Sequence, residues 1–240
     1  MMLLTLLLLP TRITAQTTTE DQRCVLFNSS DGITDYVAEY DATNKTLTFK
    51  KNDADVSDIS SNIVFVGNYN NVAEIRKALG NVTIKEIVFD KSFNTYAPTS
   101  LNSFFKNLSR LETITGLEYL NTANVTDMSS MFHSCRKLTD LDISNLNTAN
   151  VTDMSYMFHK CEKLTELNLS NLNTANVTDM SSMFNSCRNL TELNLSNLNT
   201  ANVTDMSSMF NSCRNLTELN LSNLNTANVT DMSSMFNSCR

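Results

Sequence analysis

The sequence predicts an α/β solenoid of short stacked repeats, preceded by a small α/β cap at the N-terminal end. The first observation is an unbroken 26-residue period over residues 121–240, in which block 173–198 recurs unchanged at 199–224. The second is that each repeat combines the apolar pattern of a strand with that of a short helix. A period of about 20 to 50 residues is typical of a solenoid, in which each unit buries its apolar side against its neighbours.

The N-terminal segment 1–15 is predicted to be a signal peptide. A leucine-rich core is broken by Pro10, and Ile13-Thr14-Ala15 is a suitable cleavage site. The apolar run is far shorter than the about 20 residues that cross a bilayer, so we expect no transmembrane span. Residues 16–23 are predicted to be a disordered tether. The chain is therefore expected to be secreted or held at the cell surface.

Residues 24–80 are predicted to form the cap. Alternating apolar residues favour a hairpin over 36–40 and 46–50, and a short buried strand over 63–66. A helix should follow, begun by Asn70 or Asn71 as its N-cap and ending near Leu79.

The regular repeats are preceded by degenerate ones over residues 81–120. Ile84, Ile87 and Phe89 have the same mutual spacing as Leu190, Leu193 and Leu195. Atypical terminal units are expected because the first unit must close the open end of the core. The regular repeats then occupy 121–240, and the last of them is cut short, which indicates a fragment.

Within one repeat, a strand is predicted at Leu190–Leu195, with Leu193 and Leu195 facing the core. A short helix is predicted from four core residues at positions i, i+3, i+4 and i+7, namely Met206, Met209, Phe210 and Cys213. Thr204 or Asp205 is placed to cap this helix. The turn 197–202 is expected to direct at least one asparagine inward. This is the leucine-rich-repeat arrangement, with parallel strands on the concave side and short helices on the convex side.

The motif Asn-x-x-Asn-Val-Thr-Asp-Met-Ser-x-Met-Phe, followed by Cys and Leu-x-x-Leu-x-Leu-Ser, resembles the repeat of BspA-like leucine-rich-repeat surface proteins. The resemblance is close over residues 121–240 and looser over 84–120. It implies an exported surface protein, and several members of that family are regarded as adhesins.

Polar columns beside the predicted strand form the candidate partner-binding site on the concave face. Acidic residues occupy one column, and aspartate followed by asparagines occupies the next. The eight residues are Asp140, Glu166, Glu192, Glu218, Asp142, Asn168, Asn194 and Asn220. Two interpretations remain open, a docking surface for a cationic or sugar partner and a solvated face that keeps the sheet soluble.

The cysteines and histidines are interpreted as structural. Cys135 and its copies lie on the apolar stripe, which favours buried free thiols over disulfides between neighbours or metal binding. His133 and His159 are expected to face solvent on the convex side, with zinc as the alternative. The Asp127 column is expected to cap helices, with calcium as the alternative. The sequence therefore predicts no metal site and no cofactor.

The composition and the repetition favour binding over catalysis. A net charge of −7 without basic blocks argues against a nucleic-acid partner. Identical repeats produce parallel lines of like groups, whereas an active site needs unlike groups that converge, so no catalytic residue is assigned. We expect a repetitive, adhesin-type scaffold that binds an extracellular protein or glycan on host or neighbouring cells. The alternative is a non-binding surface coat or an ice-binding-like array.

Overall fold

The computed structural model describes the backbone of residues 22–27, 36–52, 64–67 and 69–239, and side chains over 36–52 and 69–239. The predicted signal peptide and the side chain of Cys24 lie outside the described residues. Strand β1 (Gln22–Phe27) begins inside the predicted tether 16–23. The tether prediction is therefore wrong at its last two residues, which belong to β1 because they pair with Asp41 and Tyr40 of the next strand.

The N-terminal part of the described chain is a mixed sheet with one α-helix and two 3-10 helices, Lys91–Thr95 and Leu117–Tyr119. Its elements are β1, β2 (Tyr36–Asp41), β3 (Thr46–Lys51), β4 (Val64–Gly67), α1 (Val72–Ala78), β5 (Glu86–Phe89) and β6 (Thr113–Thr115). The strand order is β4-β1-β2-β3-β5-β6. Strands β1, β2 and β3 are antiparallel to their sequence neighbours, while β4, β5 and β6 each join the sheet in parallel.

The predicted hairpin and helix of the cap are confirmed. Strands β2 and β3 pair from Tyr36 opposite Lys51 to Asp41 opposite Thr46. The side chain of Asn71 caps α1 by accepting a 3.0 Å hydrogen bond from the backbone N–H of Glu74. An asparagine at this position satisfies one of the N–H groups that the first turn of a helix leaves unpaired.

Strands β5 and β6 connect the cap to the repeats. They pair in parallel, with Glu86 opposite Thr113 and Ile87 opposite Ile114, a separation of 27 residues. This separation is one residue longer than the 26-residue period of the regular repeats.

Parallel pairing continues into the regular repeats. Strands β7 (Glu192–Asn194) and β8 (Glu218–Asn220) pair with Glu192 opposite Glu218 and Leu193 opposite Leu219. This confirms the predicted strand in these two repeats. The equivalent segments 139–143 and 165–169 keep the same alternation of buried and exposed residues without forming strands in the described structure.

The short helix predicted over Met206–Cys213 is wrong, and so is its counterpart in every repeat of the described chain. The segment consists of successive turns instead, because Ser208 and Ser212 adopt left-handed conformations with φ of 55° and 62°. Alternate N–H groups close the turns locally, as from Met209 to the carbonyl of Met206 at 3.3 Å. The N–H groups between them bond the next repeat, as from Ser208 to the carbonyl of Ser233 at 2.8 Å. In a helix each amide beyond the first turn bonds the carbonyl four residues back, whereas here alternate amides join the next repeat. We call this segment and its copies the turn wall.

The predicted helix caps are corrected with the helix. Asp205 Oδ1 accepts a 2.7 Å hydrogen bond from the N–H of Ser207, which closes an Asx turn at the start of the turn wall. The aspartates of successive repeats also form parallel bridges, for example Asp179 with Asp205. The Thr204 side chain donates to the carbonyl of Thr178 at 3.2 Å and caps nothing.

The expectation of an inward asparagine in turn 197–202 is also wrong. Thr200 turns inward instead and is 1% exposed. Its hydroxyl donates to the carbonyl of Asn225 at 2.9 Å and accepts from the N–H of the same residue at 2.8 Å. A hydroxyl satisfies both groups because it is donor and acceptor at once.

The core consists of columns of identical side chains, one from each repeat. The predicted core residues are confirmed: Leu193, Leu195, Met206, Met209, Phe210 and Cys213 are at most 4% exposed. Phenylalanines form a continuous stack from Phe105 to Phe236, with neighbouring ring centroids 5.2 to 5.8 Å apart. Each buried Phe or Leu contributes about 1.5–3 kcal/mol through removal of apolar surface from water.

Candidate functional site

The eight residues predicted to bind a partner line one groove of about 820 Å³. The alternation of the strand positions produces it, since the leucines between these residues face the core. Thr139, Ser144 and the edges of three leucines complete the lining. The structure therefore brings together the whole set named from the sequence, on the face that carries β7 and β8. We call this face the strand wall.

The acidic column of the strand wall carries uncompensated charge. Asp140, Glu166, Glu192 and Glu218 are exposed, and their carboxylates form no hydrogen bond or ion pair with the described residues. Glu192 and Glu218 are direct neighbours across the parallel pair, where strands lie about 4.8 Å apart. Such like charges repel by a few tenths to about 1 kcal/mol per pair in water. A cation placed along the column would relieve this repulsion.

The neighbouring column has a structural role that the sequence analysis missed. Asn194 Oδ1 accepts a 2.9 Å hydrogen bond from the N–H of Ser196, and Asp142 does the same with Ser144. Asn168 and Asn220 repeat this contact at 3.0 Å. The signal was present in the sequence, because Asn or Asp two residues before Ser is typical of an Asx turn. These turns fix the side chains, which leaves the asparagine amide N–H groups as donors toward the groove.

The Asx turn of Asp142 stabilises the ionised form of its carboxyl. Hydrogen bonds from Ser144 lower the pKa of this carboxyl below its usual value. Asp142 is therefore ionised at neutral pH and adds its charge to that of the acidic column. The groove as a whole offers carboxylates to cations and alternating carbonyl and amide groups to polar ligands.

The cysteines of the column are free thiols in the described repeats, with no disulfide between neighbours. Cys135, Cys161, Cys187 and Cys213 are buried as predicted, and Cys239 in the last repeat is partly buried. The Cys187 thiol donates to the carbonyl of Phe158 at 3.1 Å, and the other repeats make the same contact. Burial raises the pKa of Cys135 and of Cys213 to about 12. The thiolate is thus disfavoured, and these thiols are structural rather than reactive.

A comparison with protein families matches residues 70–192 and 164–240, which together span more than half of the chain. The family is described as "Mycoplasma protein of unknown function, DUF285". The chain belongs to the DUF285 family.

The DUF285 match covers α1, the degenerate repeats, the turn wall and every residue of the groove, while β1 to β4 precede it. No curated protein and no solved structure matches the chain. No helix in the described ranges of this DUF285 chain is long and apolar enough to cross a membrane. The same ranges contain no group of three His, Cys, Asp or Glu residues arranged to hold a metal ion.

Proposed function

We propose that this DUF285 chain is an exported, BspA-like surface protein that binds partners along the strand wall. In this proposal the repeats form a leucine-rich-repeat solenoid with the strand wall on its concave side. The single observation that carries the proposal is the groove, in which four unpaired carboxylates recur at the spacing of the repeats. The partner is an extracellular protein or a glycan on host or neighbouring cells, and its contacting groups are cationic or rich in hydroxyls.

Repetition suits such a surface to multivalent binding. Each repeat presents one carboxylate and one turn-fixed Asp or Asn, so an extended partner meets the same pair of groups several times. Linked weak contacts raise the overall affinity without any single strong one. Each repeat that is removed should therefore weaken binding in part, without abolishing it.

The first test measures saturable binding of the whole protein to cultured cells and to a panel of immobilised matrix proteins. Glu166→Gln, Glu192→Gln and Glu218→Gln combined remove three charges from the groove with little change in side-chain shape. The control removes three charges outside the groove, through Glu39→Gln, Glu74→Gln and Glu118→Gln. Glu74 and Glu118 are exposed, and Glu39 is half-buried and paired with Lys50. Weaker binding by the groove variant alone supports the proposal, and equal binding by both variants contradicts it.

The second test deletes one repeat without creating a new junction. Because residues 199–224 copy residues 173–198, removing 173–198 leaves the sequence on both sides of the junction unchanged. A severalfold loss of affinity is expected from multivalent binding. An absence of binding by the folded, undeleted protein would favour the surface-coat alternative.

One observation favours ice binding as a second candidate. Thr204 was expected in a helix cap, but its column is exposed and fixed by hydrogen bonds to the preceding repeat, beside the similarly fixed Asn202 column. This regular, rigid array of polar groups could order water. Thermal hysteresis of the purified protein, lost on replacing Thr178 and Thr204 by bulkier Lys, would support it, and absence of hysteresis would eliminate it.

A further inference from the structure

One part of the turn wall departs from the pattern of the other repeats. The repeat 147–172 carries Tyr156, His159 and Lys160 where the next repeat has Ser182, Asn185 and Ser186. The preceding repeat contributes a second histidine, His133, at the position equivalent to His159. These exceptions all lie on the outer side of one wall, while the core positions beneath them are unchanged.

Two of the exceptional side chains sit on left-handed backbone. Tyr156 has a φ of 56° and Lys160 a φ of 59°, whereas nearly all copies of these positions are serines. A bulky residue is an outlier in this region. The Cβ atom crowds the backbone, and only a short polar side chain can offset this cost through local hydrogen bonds. Strain of this kind is concentrated at functional sites. The tyrosine is nevertheless 41% exposed, so it gains little burial in return.

The aromatic rings are already assembled. The imidazoles of His133 and His159 stack with centroids 4.7 Å apart and planes 4° from parallel. The ring of Tyr156 lies 5.5 Å from His159 and 6.4 Å from His133. We define Tyr156, the two histidines and the cations beside them, Lys106, Arg136 and Lys160, as the histidine patch.

The half-buried rings correct the expectation that both histidines simply face solvent, and we assign the tautomer of each imidazole from the burial of its nitrogens. The Nδ1 atoms of His133 and His159 are buried and have no hydrogen-bond partner, whereas neither Nε2 atom is buried in this way. An N–H group at Nδ1 would lose its hydrogen bond altogether, so we place the proton on Nε2. The patch thus presents two N–H donors side by side to solvent.

The histidine patch is positive, in contrast to the acidic groove. Burial, then Lys106, Lys160 and Arg136, lower the pKa of His133, and burial with His133 and the two lysines lowers that of His159 to about 4. The imidazoles are therefore neutral donors at pH 7, surrounded by three cations. Arg136 pairs with Glu162 at 3.8 Å, whereas Lys106 and Lys160 form no ion pair among the described residues. The patch is therefore locally positive on a chain whose net charge is −7.

We propose that the histidine patch binds a sulfated or phosphorylated sugar. The tetrahedral oxyanion would accept hydrogen bonds from the two Nε2–H groups and from the lysine and arginine side chains, which are strong partners for such anions. The exposed ring of Tyr156 would pack against the apolar face of the sugar. This site is separate from the groove and takes a ligand of opposite charge, so it goes beyond the proposed function and does not depend on it.

The test measures binding of a sulfated heparin-derived hexasaccharide to the full chain by calorimetry. The repeats themselves supply the matched variant, since Tyr156→Ser, His133→Asn and His159→Asn install the residues that other repeats carry. We expect saturable binding that weakens at least tenfold in this variant, with an unchanged or higher melting temperature because the strained tyrosine is removed. Equal binding by the variant would overturn the proposal.

Three further ligands and a pH series define the ligand class. A fully desulfated hexasaccharide should bind at least tenfold more weakly, and inorganic sulfate should bind detectably but more weakly than the sulfated sugar. A poly-glutamate peptide that binds as tightly as the sulfated sugar would overturn the sugar assignment. Binding should strengthen from pH 7.5 to pH 5, because a bound anion favours protonated His133 and His159 against the repulsion of Lys106, Lys160 and Arg136. An unaltered pH dependence in His133→Asn with His159→Asn would contradict that role for the imidazoles.

Discussion

The strand wall and the turn wall belong to the same repeats but are held together differently. Along the turn wall, N–H groups bond the next repeat at every step from residue 101 to residue 212. Along the strand wall, β7 and β8 are the only pair that forms a continuous ladder in the regular repeats of the described chain. The turn wall also holds the Phe and Met columns, whereas the strand wall contributes smaller aliphatic side chains and exposes its charges. The comparison indicates that the turn wall fixes the repeats in register, which frees the strand wall to carry a surface that is electrostatically unfavourable on its own.

The largest difference between the walls should appear when the phenylalanine stack is interrupted. Phe184→Ala removes a fully buried ring between Phe158 and Phe210 and should lower the free energy of unfolding by about 3–5 kcal/mol. Urea denaturation followed by circular dichroism measures it. Phe236→Ala is the control, because this ring is 47% exposed and should cost about 1 kcal/mol or less. A loss from Phe184→Ala of about 1 kcal/mol or less would show that the stack does not stabilise the turn wall.

The backbone of the turn wall can be tested by the sign of a glycine substitution. Ser208 has a φ of 55°, so Ser208→Gly should raise the free energy of unfolding by about 1 kcal/mol, and Ser208→Ala should leave it unchanged or lower. In a helix the order would be reversed, because alanine stabilises a helix over glycine by about 1 kcal/mol. Thermal unfolding of the two variants distinguishes the two backbones. If Ser208→Ala is more stable than Ser208→Gly, the segment is a helix and the left-handed turns are wrong.

The contrast between the walls also explains which predictions were confirmed. Leu193, Met206 and Phe210 could be assigned to the core because an apolar side chain is buried in either backbone. The helix could not be excluded from the same residues, since positions i, i+3, i+4 and i+7 also face inward in consecutive four-residue turns. The distinguishing signal was the serine at 208 and again at 212. The groove was predictable because strand alternation depends only on neighbouring residues. The histidine patch was not, because it depends on left-handed backbone at Tyr156 and on contact between repeats.

Acid should destabilise the turn wall through its histidines. The pKa of His159 is lowered to about 4, mainly by burial, so the unfolded chain binds more protons than the folded chain below its unfolded pKa of about 6.5. Stability is therefore complete above pH 6.5 and decreases as the pH falls toward 4. Because the ring is only half buried, solvent screening limits the loss to about 1 kcal/mol. Denaturation at pH 7 and pH 4.5 should show this loss, and His133→Asn with His159→Asn should reduce it.

The smallest change in the free energy of unfolding is expected on the strand wall. Its sign tests whether the acidic column destabilises the free protein. Glu192 lies beside Glu218, with Glu166 in the same column, and has no cation within ion-pair distance among the described residues. Glu192→Gln should therefore raise the free energy of unfolding by a few tenths of a kcal/mol at low salt. At about 1 M salt the Debye length falls to about 3 Å, so the difference between wild type and variant should disappear. Glu118→Gln, outside the column, is the control and should change stability at neither salt concentration. If Glu192→Gln lowers the free energy of unfolding instead, the carboxylate already has a stabilising partner in the free protein. The acidic column would then not be available to a cationic ligand.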